Sequence, residues 1–261
     1  MSVLTIDNIS KSYGGVTALE NVSFEVPEGQ IVGLIGPNGA GKTTLFNVIT
    51  GYVAPTSGKV TLNGKDLTGQ PTHRMAKLGI TRTFQGVRLL NHSTVLDNVL
   101  AAQDIHAGPS LDTLFGFAGK KERQLRHEAE QLLSFFGLWE RRFLPAMSLP
   151  FGDQHRLEIA RALASRAPLI LFDEPAAGMN PAESLELMDQ LRQINRNRAK
   201  TMLVVEHDMS VVMGLCNKVV VLNFGKKIAE DTPEGIQNNP LVLEAYLGKE
   251  MDVASSKRLN N

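Results

Sequence analysis

The chain has 261 residues, 43% hydrophobic and 21% charged, a composition that suits a folded globular protein and excludes a disordered or fibrous one. With 27 Lys and Arg against 27 Asp and Glu the net charge is zero, so a broad nucleic-acid-binding surface is not expected. Cys216 is the only cysteine, which excludes an internal disulfide; no apolar run approaches a membrane span, and the N-terminus does not read as a signal peptide, so the expected compartment is the cytosol and any membrane role peripheral.

In chain order, residues 4–9 and 22–26 alternate apolar and polar side chains and read as half-buried strands. Residues 60–62, followed by Asn63-Gly64, read as a strand entering a tight hairpin, so a small antiparallel sheet is expected near the N-terminus. Between these pieces an apolar strand, residues 30–35, runs into Gly36-Pro37-Asn38-Gly39-Ala40-Gly41-Lys42-Thr43-Thr44, and a helix-like run, 42–50, follows. The segment fits G-x-x-x-x-G-K-[ST]. Strand, glycine-rich loop and helix in that order turn backbone N–H groups and a helix N-terminus toward phosphate. Lys42 would then reach the β- and γ-phosphates and Thr43 would ligate Mg²⁺.

The middle of the chain, 91–165, has a different character. Residues 94–103, 120–136 and 152–165 carry helical periodicity and predict a helical insert; 108–119 reads as a loop with Leu and Phe, either a satellite packing cluster or a partner contact. Strands and helices then alternate: 169–172, 201–205 and 219–222 are strands, 182–194 is an amphipathic helix, and Gly225 turns into 226–230. Arg192, Arg196, Arg198 and Lys200 form a basic stretch, read as a solvated helix end. Cys216 falls in an apolar helical run and is expected to be a small buried hydrophobe, and the tail from Met251 is polar. The pattern predicts an α/β fold: a P-loop NTPase core of mainly parallel sheet with helices on both faces, an N-terminal antiparallel β subdomain and an inserted α-helical subdomain. It forms one domain, with 1–90 and 166–250 as the nucleotide-binding core, 91–165 as the insert and 251–261 as a tail. Its ligands belong beyond the C-terminal strand ends.

Two strand ends carry chemistry. Leu169-Ile170-Leu171-Phe172 ends in Asp173-Glu174; beside a P-loop the first carboxylate can hold Mg²⁺ and the second can orient and polarise water. Val204-Val205-Glu206 ends in His207, placed to hydrogen-bond a γ-phosphate.

These parts together resemble the ATP-binding subunit of an ABC transporter, over nearly the whole chain. Tyr13 fits the family's adenine-stacking aromatic, though taken alone it would equally be a core tyrosine. Gln85, in Thr83-Phe84-Gln85, fits the loop glutamine that contacts Mg²⁺ and the nucleophilic water. Leu149-Pro150-Phe151-Gly152-Asp153 occupies the signature, usually Leu-Ser-Gly-Gly-Gln, and Gln154 continues it as a helix. Ala177-Gly178-Met179-Asn180 fits the loop that crosses the dimer interface, and His207 the switch histidine. The resemblance implies ATP and Mg²⁺ as cofactors. Glu174, His207, Lys42 and Gln85 are then catalytic, and Thr43, Gln85 and Asp173 hold the metal. Tyr13 and Gly36, Pro37, Asn38, Gly39, Ala40, Gly41, Lys42, Thr43 and Thr44 bind nucleotide in cis, and Phe151, Gly152 and Asp153 in trans. It also implies a second ATPase subunit, identical or paralogous, facing this one head-to-tail, transmembrane permease subunits and, indirectly, a solute-binding protein. The place implied is the cytoplasmic face of the inner membrane.

Two positions depart from the family pattern. Pro150 replaces the signature Ser and has neither a hydroxyl nor an N–H to offer phosphate; proline suits the first turn of a helix, so clean helix initiation is its other reading. Asn180 replaces an Asp and loses a charge. Gly152-Asp153-Gln154, Pro175-Ala176-Ala177-Gly178, Asn180-Pro181, Arg82-Thr83-Phe84-Gln85, Glu206-His207-Asp208-Met209 and Ala245-Tyr246-Leu247-Gly248 resemble the branched-chain amino-acid importer branch. Urea, amide and lipopolysaccharide systems use closely related subunits. The rival readings are a non-transport ABC protein acting on DNA or ribosomes, and a regulatory subunit that binds ATP but hardly hydrolyses it.

Overall fold

Two long strands open the chain, β1 (Ser2–Tyr13) and β2 (Val16–Pro27), and β3 (Ile31–Ile35) then leads into helix α1 (Lys42–Ile49). There follow β4 (Ser57–Leu62), β5 (Lys65–Asp66), α2 (Thr72–Leu78) and β6 (Ile80–Arg82). Three helices come next, α3 (Val95–Gln103), α4 (Ala118–Phe135) and α5 (Phe151–Ala164). Then follow β7 (Leu169–Asp173), α6 (Pro181–Arg198), β8 (Thr201–Val205), α7 (Met209–Leu215), β9 (Lys218–Asn223), β10 (Lys226–Asp231) and α8 (Pro233–Gln237), with residues 240–246 helical after it. The computed structural model describes residues 2–83, 86–103 and 118–246. It divides into two compact units, residues 1–72 with 195–261, and residues 73–194.

The first unit holds two sheets. One is antiparallel, in the order β2-β1-β4-β5. Its strands bury alternate residues, Leu4 and Ile6 on β1 and Val22, Phe24 and Val26 on β2, as the sequence pattern requires. Asn63 and Gly64 both take positive φ (48° and 76°) in the two-residue turn where Leu62 faces Lys65, the geometry whose twist matches a hairpin. In the other sheet β3 lies between β8 and β9, parallel to both, and β10 closes the edge antiparallel to β9. All five residues of β3 are buried, which explains its unbroken apolar run. Each fully buried Ile, Leu or Val there contributes about 1.5–3 kcal/mol.

Cys216 differs from expectation. It caps the C-terminus of α7 and is half-buried, yet it packs on the cluster of Ile35, Val212, Val219, Val221, Ile236 and Val242. A Cβ added to Gly33 would lie 2.9 Å from its sulfur, so the bare glycine is what lets the thiol approach β3.

In the second unit β6 and β7 pair in parallel, Ile80 against Leu169 and Arg82 against Leu171. Helices α3, α4 and α5 bury Val95, Val99, Leu132, Leu133, Leu157 and Ile159. The helical character expected for 91–165 is found over the described residues, with two short 3₁₀ turns, Trp139–Arg141 and Ala146–Ser148, added. α2 and β6 were not legible: α2 buries Met75 alone, and three residues of β6 are too few for a period. Most of the loop expected at 108–119, and the tail from Met251, lie outside the described residues. In the basic stretch Arg192 is half-buried and ion-paired to Asp189 at 2.8 Å, and Arg196 is exposed. Among the described residues no helix is long and apolar enough to cross a membrane.

Candidate functional site

Gly36 to Thr44 leave the C-terminal end of β3 as a tight loop that closes on α1. Ala40 N–H donates to the Pro37 carbonyl (3.0 Å) and Leu45 N–H to the Gly41 carbonyl (2.9 Å), the first bond of the helix. Two glycines are dictated by crowding. A Cβ on Gly36 would sit 2.1 Å from the Leu222 carbonyl oxygen, and one on Gly41 2.8 Å from the Ala18 carbonyl; both have φ in the positive region, 149° and 103°. Gly41 is the N-cap of α1, makes no side-chain cap bond, and the first turn carries no acidic residue. The helix therefore presents its positive end with no local carboxylate to repel an anion. Lys42 is buried to 9% exposure, and its ammonium donates to the carbonyls of Gly36 (2.6 Å) and Pro37 (3.2 Å), folded back over the loop. Thr43 is exposed at the first turn.

His207 comes to the same edge of the sheet. β8 pairs in parallel with β3, Leu34 against Val205, so residues just beyond both strand ends emerge side by side. His207 is exposed, and its N–H donates to the carboxylate of buried Glu206 at 3.3 Å. Asp208 caps α7, accepting from Ser210 N–H (2.8 Å) and hydroxyl (2.6 Å), and those bonds lower its pKa. Tyr13 stands 46% exposed with the Lys11 ammonium 4.8 Å above its ring, which excludes the core reading. It pairs with Val16, two residues before Ala18, whose carbonyl lies against Gly41, so the aromatic stands on the hairpin that flanks the loop.

The second unit carries the acidic strand end and the signature. Asp173 ends β7. Its N–H donates to the Thr83 hydroxyl (3.3 Å), and its carboxylate is ion-paired with Arg82 at 3.4 Å, both side chains nearly buried. Arg82 was missed as a site residue; β6, the three-residue strand that presents it, leaves no periodic signal. Glu174 has φ 51°, left-handed for a non-glycine residue, and opens a run of turns: Ala177 N–H donates to the Glu174 carbonyl (3.0 Å) and Met179 N–H to that of Ala176 (3.2 Å). The run ends at Asn180, whose N–H donates to the Glu183 carboxylate while the Glu183 N–H donates to the Asn180 side-chain oxygen, each at 3.0 Å. This reciprocal capping box starts α6 and uses Asn180 as a neutral acceptor.

Pro150 is the N-cap of α5, outside the helix, with Phe151 its first residue. That corrects the expectation of a first-turn proline by one position. The Pro150 carbonyl accepts from Gln154 N–H (3.0 Å), and Asp153 is ion-paired to Arg141, which offsets an acidic side chain at a helix end suited to anions. Phe151 is 56% exposed, packs edge-on to His155 at 4.6 Å, and covers Gly178, where an added Cβ would meet the ring at 2.7 Å. A Cβ on Gly152 would meet only the Glu183 side chain, at 3.7 Å or more, so packing within the chain does not demand that glycine. The first unit thus gathers Gly36 to Thr44, Tyr13 and His207, the second Asp173, Glu174, Phe151, Gly152 and Asp153; Gln85 lies outside the described residues.

Residues 19–177 match the family model for ABC transporters, and residues 226–252 match the model described as the branched-chain amino acid ATP-binding cassette transporter. The chain is 42% identical over 254 residues to the high-affinity branched-chain amino acid transport ATP-binding protein LivG of Salmonella typhimurium, covering 95% of this chain and 98% of that protein. Among solved structures it resembles the ADP conformation of MJ1267, an ATP-binding cassette of an ABC transporter, with TM-score 0.81, 32% identity, and 95% and 99% of the two chains covered. A dimeric post-hydrolysis state of the cassette MJ0796 bound to ADP and Pi matches with TM-score 0.74 and 28% identity, over 88% of this chain and 98% of that one.

Proposed function

We infer what this chain does from the family to which it belongs, the ABC transporter ATP-binding proteins: it is the ATP-hydrolysing subunit of an importer, and its cargo is a branched-chain amino acid. The observation that carries the cargo is the match of residues 226–252, outside the residues 19–177 that match the general family model, to the branched-chain model. Proteins of this kind are membrane-associated, work with permeases and dimerise. For this chain we assign the cytoplasmic face of the inner membrane, a head-to-tail partner ATPase, and a solute-binding protein acting through the permease.

Water adds to the γ-phosphorus of ATP and the bond to the bridging oxygen breaks, giving ADP and phosphate. Lys42 exchanges the Gly36 and Pro37 carbonyls for phosphate oxygens, and its charge offsets theirs. Glu174 orients the water and draws on its proton. His207, exposed at the edge beside the loop, donates to the γ-phosphate. Tyr13 stacks on adenine. The N–H groups of Phe151, Gly152 and Asp153 serve the partner's nucleotide. The Thr43 hydroxyl and the Asp173 carboxylate are hard oxygen donors of the kind Mg²⁺ takes, a donor set that fits the ion, and Gln85 joins them on resemblance alone. Mg²⁺ held by these residues would supply positive charge to offset that of the phosphates.

The test is the assembled transporter in proteoliposomes, with ATP hydrolysis and uptake of leucine, isoleucine, valine and urea measured together. Glu174→Gln should lower hydrolysis by at least about a hundredfold while ATP is still bound. Turnover at the wild-type rate in that variant would remove the role given to Glu174, and ATP-driven uptake of urea without the amino acids would remove the cargo.

A further inference from the structure

The loop that follows Glu174 has an aromatic ring set against it. Glu174 stands at φ 51°, a conformation that is costly for a residue with a Cβ and persists only where its surroundings impose it. Two turns tie the loop to itself: Ala177 N–H donates to the Glu174 carbonyl at 3.0 Å, and Met179 N–H to that of Ala176 at 3.2 Å. Between those two donors lies Gly178, at φ 75°. The Phe151 ring stands against it so closely that a Cβ on Gly178 would meet three ring carbons at 2.7, 3.5 and 3.6 Å. His155 braces the ring in turn: the two rings meet edge-on with centroids 4.6 Å apart, and His155 is 4% exposed. Gly152, the next residue, faces the Glu183 side chain that accepts from Asn180 N–H, so the start of α5 follows the loop from Gly178 to its end. Phe151 itself remains 56% exposed, so its ring can be removed without opening the core.

We propose that Phe151 is a positioning residue for Glu174: by filling the space against Gly178, its ring keeps the turn from Glu174 to Gly178 in one conformation, and with it the left-handed backbone that aims the Glu174 carboxylate. In this role the ring touches neither nucleotide nor water and acts through the backbone of the loop. The inference rests on the part given to Glu174 in hydrolysis. It is separate from the Phe151 N–H, which is assigned to the partner's nucleotide and which every substitution but proline retains.

Phe151→Ala removes the ring and keeps the N–H. In the assembled transporter its kcat should fall by roughly tenfold, the order expected when one left-handed residue is released, with KM for ATP within about twofold of wild type. Amide hydrogen exchange of the purified full chain, without nucleotide, reads the loop itself: the Ala177 and Met179 N–H groups should exchange roughly tenfold faster in Phe151→Ala. Phe151→Tyr keeps the ring and should restore both. A kcat or exchange rates at the wild-type value would overturn the proposal, whatever the melting temperature, and leave the ring a packing residue. A raised KM with kcat unchanged at saturating ATP would overturn it too, and would set the ring against the partner's nucleotide. If the wild-type transporter hydrolyses no ATP, the function inferred above fails, while the exchange rates still decide whether the ring holds the loop.

Discussion

Replacing Pro150 by Ser separates what the signature position does for its own helix from what it does for a bound phosphate. Pro150 sits at φ −55°, ψ 153° with no side-chain cap bond, dihedrals a serine can adopt unchanged. The serine oxygen would accept from the N–H of Gly152 or Asp153, worth about 0.5–2 kcal/mol. Loss of the proline restores freedom to the unfolded chain and costs about 0.4–1 kcal/mol. The two nearly cancel, so the melting temperature should move by no more than roughly 5 °C. The Gln154 N–H bond to the carbonyl of residue 150, 3.0 Å here, survives either way because it uses backbone alone.

The effect on nucleotide is one-sided. A serine hydroxyl that accepts the cap bond still has its own hydrogen to donate, and proline has none. A hydrogen bond to a charged acceptor is worth about 1.5–3 kcal/mol, so the ATP concentration that half-assembles the dimer should fall by about tenfold or more. Light scattering against ATP, in the Glu174→Gln background to hold hydrolysis still, reads that midpoint directly. Steady-state ATPase of the assembled transporter should rise with it. An unchanged midpoint with unchanged stability would refute the reasoning: residue 150 would then not face the partner's nucleotide, and the trans assignment of Phe151, Gly152 and Asp153 would fall with it.

Three further substitutions, at Gly178, Phe151 and His155, test the second unit. Gly178→Ala combines a left-handed φ of 75° with a Cβ 2.7 Å from the Phe151 ring, and should cost about 2–3 kcal/mol in chemical denaturation. The Phe151→Ala, Gly178→Ala double variant should recover part of that loss, and strict additivity would mean the ring yields freely. His155 is 4% exposed, its Nε2 has no hydrogen-bond partner, and burial lowers its pKa from 6.5. The folded protein then gives up a proton that the unfolded chain holds. The contribution is complete above about pH 6.5 and is lost as pH falls below it, at no more than about 1.4 kcal/mol per pH unit. His155→Leu should flatten stability between pH 6.5 and 5, and an unaltered acid limb would place its cause elsewhere.

What could be read from the sequence follows physical rules that can be named residue by residue. β3 and the loop after it were legible because a buried parallel strand must be apolar throughout and because Gly36 and Gly41 have no room for a side chain. α3, α4 and α5 were legible because their buried residues recur at helical spacing. α2, β6 and the two 3₁₀ turns were not, since an element of three to seven residues with one buried side chain leaves no period. Arg82 was hidden for the same reason, and its pairing with Asp173 is a fact of strand register.

The two departures from the family pattern turn out to be unlike in kind. Asn180 gives up a negative charge but keeps the oxygen that Glu183 N–H needs, and Glu183 returns the bond to Asn180 N–H. An aspartate there would set a second carboxylate beside that of Glu183 and hold the same cap against the repulsion. Asn180 is therefore a substitution that local structure fully absorbs. Pro150 is not absorbed in that way: its helix starts cleanly, but through backbone alone, with the N-cap side chain contributing no bond. A position that local structure leaves without a side-chain bond is free to be set by what approaches it from outside. Of the two departures, Pro150 is the one whose consequence must be sought in the assembled dimer and not in the chain.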